Sequence, residues 1–159
     1  MEDKTVEYFD LIEAAYDRVD IYDGPDAFFA EFSKLPPPQQ HLLAAHWCQS
    51  EINNGGFDQF FANPTGMLAP EAEKGFRAIG MPVAADIVAA AIAMFGPEYP
   101  REREDRDRML SKMPHRMITS KVGDTFRRVD AFDALDDQFY DAAGDFCEHA
   151  TRYATANAG

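Results

Sequence analysis

With 159 residues, 46% of them apolar, the chain is long enough for one domain and apolar enough to bury ~70% of the surface its unfolded form exposes, which excludes global disorder. A formal net charge of −13 excludes direct nucleic-acid binding, because phosphate contacts need a basic surface. No apolar run approaches the ~20 residues of a bilayer crossing, and Met1-Glu2-Asp3-Lys4 lacks a secretory pattern, so a soluble cytoplasmic protein is expected. Cys48 and Cys147 stand far apart and outside any Cys-x-x-Cys spacing, and both are expected to be buried, reduced thiols.

Helical periodicity dominates from the start. In residues 5–20, Val6, Phe9, Ile12, Tyr16 and Val19 recur at steps of three and four, the stripe by which a helix docks on a core. Asp23-Gly24-Pro25 ends it, and Pro25 opens a short second helix that Pro36-Pro37-Pro38 stops. A third helix, with Leu42, Leu43, His46 and Trp47 on its buried side, runs to Asn53-Asn54-Gly55-Gly56. Residues 57–62 form a short helix ended by Asn63-Pro64, since the residue before proline avoids helical geometry. Residues 70–79 and 83–95 are two further helices, the second almost wholly apolar and hence central. Residues 101–113 read as a mixed-charge, solvated helix whose arginines and acids neutralise one another.

Residues 114–130 have no clean period and are expected to be irregular, with a helical turn near Phe126. Residues 133–154 form the last long helix, with Leu135, Phe139, Ala142, Phe146, Ala150 and Tyr153 inward, and the tail beyond frays. No segment alternates over strand length and no repeat is found, so the expectation is an all-α fold of seven to eight helices in one domain, residues 1–159.

The most distinctive stretch is residues 51–66. Glu51 precedes an Asn54-Gly55-Gly56-Phe57 turn, a Gln59-Phe60-Phe61 step follows, and Asn63 and Gly66 close it. The glycines permit a turn between helices, the aromatics plug it into the core, and Glu51, Asn54, Gln59 and Asn63 can satisfy backbone groups left open at helix ends. This pattern resembles the signature of a bacterial helical family named for a DNA-mimic protein. The resemblance implies an all-helical, often dimeric fold without known cofactor or catalysis, so a homodimer is among the expectations. It also implies a partner that is a DNA-binding regulator, whose site is occupied by an imitation of duplex charge. The matched residues are turn formers and core aromatics, so they carry the scaffold, and function is a separate question.

The acids that mimicry needs lie elsewhere. Residues 1–31 carry ten acids against two bases and residues 129–159 seven against one, whereas residues 101–128 carry five against nine. Asp133, Asp137, Asp141, Asp145 and Glu148 step by four, four, four and three, one solvent-facing line if the last helix is unbroken. Asp3, Glu7, Asp10, Glu13, Asp17 and Asp20 flank the buried stripe of the first helix. One row presents a charge every ~6 Å, against a phosphate about every 3.4 Å along a DNA strand, so imitation requires the first and last helices to lie together. A plain solvated face competes with this reading.

Catalytic patterns are missing. His41, His46, His115 and His149 show no His-Glu-x-x-His spacing, and His46 and Cys48 are two residues apart and point to opposite helix faces. There is no nucleophile elbow, phosphate loop or dinucleotide turn, and Asp136 and Asp137 are neighbours poorly aimed at one cation. The sequence therefore points to a non-enzymatic acidic protein with no cofactor, no metal and no membrane contact. Its expected partner is a DNA-binding or other basic protein, met by Asp133, Asp137, Asp141, Asp145, Glu148, Asp10, Glu13 and Asp17. Two alternatives remain: a small-ligand-binding or enzymatic module around residues 53–66, and an acidic antagonist of a basic toxin.

Overall fold

The computed structural model describes residues 5–119 and 126–159, so Asp3 and residues 120–125 of the expected irregular stretch lie outside the described residues. In chain order come α1 (Tyr8–Tyr16), α2 (Pro25–Phe32), α3 (Pro37–Ala62), a 3₁₀ turn (Pro64–Leu68), α4 (Ala69–Ala78), α5 (Pro82–Ala93) and α6 (Arg103–Leu110). A hairpin of β1 (Arg116–Thr119) and β2 (Phe126–Val129) follows, then α7 (Asp133–Ala142) and α8 (Phe146–Asn157). Prolines set the helix starts: α2, α3, α4 and α5 each carry one in their first turn, where its missing N–H has no intrahelical partner to lose.

The helices close over one core, and the fold is all-α with a minor hairpin. α3 is the central element, packed against α1, α4, α6, α7 and α8. Phe57, Phe60, Phe61, Phe76, Phe132, Phe139 and Phe146 are all but inaccessible to water, each contributing on the order of 1.5–3 kcal/mol from burial. Their rings meet edge-on or offset, as between Phe61 and Phe95 at 4.8 Å and Phe76 and Phe139 at 5.6 Å.

Several expectations are corrected. α1 is shorter than residues 5–20: it ends at Tyr16 in a turn closed by Arg18 N–H to Ala15 O, and the Asp20 carboxylate then accepts the Tyr22 N–H at 2.8 Å in a second turn. The apolar segment 83–95 is not central: α5 buries Ala84, Ala85, Ile87, Val88 and Ala91 but leaves Val83 63% exposed. The stretch around Phe126 is strand, with β1 and β2 antiparallel and Arg116 opposite Val129; four-residue strands carry too little alternation to be recognised. The last helix is two, since Ala143-Gly144-Asp145 breaks it. The apolar stripe survives the break by stepping through Ala143, and the expected fraying tail is helical to Asn157 and tied down at Thr155.

Candidate functional site

The residue 51–66 motif forms a hydrogen-bonded node around one carboxylate. Glu51 sits on α3 one turn before the helix leaves helical geometry at Gly55 and Gly56. Its Oε2 accepts from Gln59 Nε2 at 3.0 Å and Asn63 Nδ2 at 2.8 Å, and its Oε1 from the Thr65 hydroxyl at 3.1 Å. Gly56 has φ +77°, and a Cβ there would stand 2.5 Å from Asp136 Oδ2, so both the turn and the neighbour require glycine. Past the break, the Phe57 N–H donates to Asp136 Oδ1 at 2.8 Å. Asn54 is exposed and joins none of these bonds, which corrects its expected place in the network.

Arg106 completes the node and corrects the solvated reading of its helix. It is fully buried: Nε donates to Phe61 O at 2.8 Å and Nη2 to Asn63 O at 3.0 Å, while Nη1 reaches the carbonyls of Pro100 and Arg101. One guanidinium thus satisfies the Phe61 carbonyl at the end of α3 and that of the following Asn63, while Arg103 Nε donates to Ala62 O at 2.7 Å. Gly66 lies under it, where a Cβ would be 2.6 Å from Phe60 O and 3.0 Å from Arg106 Nε. The Tyr99 hydroxyl donates to Gly66 O at 2.6 Å, and burial raises its pKa. Glu51, Gln59, Asn63 and Thr65 of the motif are therefore spent on the fold.

The chain ends meet, as mimicry requires. α1 packs on α8: the Val6 N–H donates to Thr155 Oγ1 at 3.0 Å, and the Thr151 hydroxyl to Glu7 Oε2 at 3.2 Å. Glu7, Asp10, Glu13, Asp17 and Asp20 are exposed along and just beyond α1, as are Asp145 and Glu148 on and before α8. The single five-acid line is nevertheless corrected. The break at Gly144 divides it into Asp137 and Asp141 on α7, which packs on α5 and α3, and the Asp145–Glu148 pair beside α1. Glu148 is bound by Arg152 at 2.7 Å and Asp145 by His149 at 3.1 Å.

Asp133, the first member of that line, turns inward. It joins Asp130 and Asp136 in a half-buried cluster whose nearest oxygens lie within 4.8 Å of one another, a grouping spaced at three and three in sequence that the adjacent pair Asp136 and Asp137 does not reveal. Each carboxylate accepts a backbone N–H: Asp130 from Phe132 at 2.8 Å, Asp133 from Asp130 at 3.2 Å, and Asp136 from Phe57. Asp136 is pushed up to about 6, first by burial and then by the fields of Asp130, Asp133 and Asp137, with the Phe57 N–H opposing the rise. Burial also raises Asp130.

The remaining candidates are structural. His46 bonds the Tyr8 hydroxyl at 3.2 Å among the rings of Tyr8, Phe9 and Tyr16, and burial lowers its pKa. Cys48 is fully buried, with its thiol pushed well up by that burial. Cys147 corrects the expectation of two buried thiols, since it is exposed in the α1–α8 groove. Among the described residues no helix is long and apolar enough to cross a membrane.

A family model described as DMP19-like protein matches residues 33–157, which takes in the Glu51 node, Arg106, α7 and α8. The chain belongs to the DMP19-like family. That family is one of DNA mimics, and its match begins after α1, so the acids of α1 lie outside the shared region. No curated protein and no solved structure matches the chain.

Proposed function

We propose that this DMP19-like protein is a non-catalytic binder that offers a DNA-like negative surface to the basic, DNA-contacting surface of another protein. The observation that carries the reading is that Asp10, Glu13, Asp17, Asp137 and Asp141 are exposed and engage no cation among the described residues. Other surface acids are compensated internally, as Glu71 is by Arg101 at 2.6 Å and Asp105 by Arg108 at 2.8 Å. Like charges left unpaired along helices cost a few tenths of a kcal/mol per pair, and a basic partner would recover that cost. Such attraction raises association rate and selects partners, and it weakens as salt screens it.

The test is capture from cell lysate on the immobilised protein at low salt, followed by elution with duplex DNA. The reading expects DNA-binding proteins to be released by duplex. It expects their capture to be lost from a variant carrying Asp10→Asn, Glu13→Gln, Asp17→Asn, Asp137→Asn and Asp141→Asn. Capture of a basic toxin that duplex does not displace would move the function to antagonism, and no capture at low salt would remove the proposal.

A further inference from the structure

α5 is an anomaly of burial. α5 is apolar except for Asp86, and its outer side is uncovered: Val83 is 63% exposed, and Asp86 and Ala90 beside it are exposed too. These residues recur at three, four and seven, so they form one wall of a groove whose other wall is Leu135, Gln138, Asp141 and Ala142 on α7. The groove is shallow and open to solvent, with a volume of about 540 Å³. From Val83 to Ala90 it runs ~10 Å, which matches two turns of a docked helix presenting residues i, i+3 or i+4, and i+7.

Charge selects the occupant. Asp86 on the α5 rim is already paired with Arg77 at 2.7 Å, but Asp141 on the α7 rim, and Asp137 one turn earlier, have no cation. A second copy of this chain, at −13, would bring like charge to that rim, whereas a basic helix brings the complement. We propose that the α5–α7 groove receives one amphipathic helix of the partner, its apolar stripe on Val83, Ile87 and Leu135 and its lysines or arginines at Asp141 and Asp137. This rests on the proposed function and names the element of the partner that is held. The groove supplies what a row of acids lacks, an apolar floor beside the charge.

The probe is a fluorescent Leu/Lys peptide of about 18 residues, long enough to hold a helix, set against a scrambled peptide of the same composition with no apolar face. Binding is read by anisotropy to the full chain. The amphipathic peptide is expected to bind about tenfold tighter than the scrambled one, and Val83→Ser and Ala90→Gln to weaken it severalfold while leaving the scrambled peptide unchanged. Both positions are exposed and both substitutions are neutral, so fold and charge are kept. Equal affinity for the two peptides, or indifference to both substitutions, would overturn the inference. The two proposals separate cleanly. A duplex-displaceable DNA-binding protein that binds both groove variants at full affinity removes the groove and leaves the proposed function. Groove-specific peptide binding without any such protein removes the function and leaves the groove.

Discussion

Replacing Asp136 by Asn should stabilise the protein at alkaline pH and leave it unchanged in acid. Asp136 titrates near 6 when folded, against an ordinary 3.8, so the folded chain holds this proton more tightly than the unfolded chain does. Stability therefore falls as pH rises: the penalty is absent below about pH 3, grows between the two values and is complete above about pH 7. At full burial that difference would be worth ~3 kcal/mol, and since the group is only half-buried, solvent screening reduces it to about 1–2 kcal/mol. Asparagine keeps an oxygen for the Phe57 N–H and directs an amide N–H toward the carboxylates of Asp130 and Asp133. Thermal unfolding followed by circular dichroism at pH 4.5 and pH 8 measures the effect, with a gain of ~2–8 °C in Tm at pH 8 and about a third of that gain at pH 4.5, where the unfolded carboxyl is already mostly ionised. A variant less stable than wild type at pH 8 would refute the reasoning, because it would mean the negative charge at this place is stabilising.

Arg106→Met should destabilise by ~3–5 kcal/mol in urea unfolding, because removal strands the carbonyls of Phe61 and Asn63 in the interior; a loss under 1 kcal/mol would mean water replaces the guanidinium. Gln59→Ala should lower stability by about 1–2 kcal/mol and Asn54→Ala by almost nothing, the first being bonded to Glu51 and the second exposed; thermal melts of the pair decide it. Gly56→Ala should cost more than 2 kcal/mol from the positive φ together with the clash at Asp136 Oδ2, and removing the side chain in a Gly56→Ala/Asp136→Ala double variant should recover the clash but not the φ penalty.

Where the sequence was most regular, it was most readable. The stripe of α2, the proline-opened helices and the break at Asn54-Gly55-Gly56 follow from local chemistry, and the structure has them within a few residues, whereas the α1 stripe holds at Ile12 but leaves Phe9 45% exposed. Failures fall where long-range contacts decide. Arg106 sits among alternating charges that look solvated, and only the carbonyls at the end of α3, more than forty residues earlier in the chain, explain its burial. Gly144-Asp145 was a legible stop and restart, since glycine weakens a helix and aspartate favours its first cap, but the continuous apolar stripe concealed it. For the same reason the row of acids looked longer than it is. The Asp130, Asp133 and Asp136 cluster depends on α7 lying against the α3 break, a packing fact with no local signature.

If the exposed acids bind and the Glu51 node only supports them, the salt dependence of affinity for a captured DNA-binding protein separates wild type, a variant neutralised at Asp137 and Asp141, and Gln59→Ala. Affinity is expected to fall steeply with salt for wild type, to be weaker with a shallower slope for the neutralised variant, and to be unchanged for Gln59→Ala below its melting temperature. Unchanged slope and affinity in the neutralised variant, with binding lost from folded Gln59→Ala, would contradict binding by the acids.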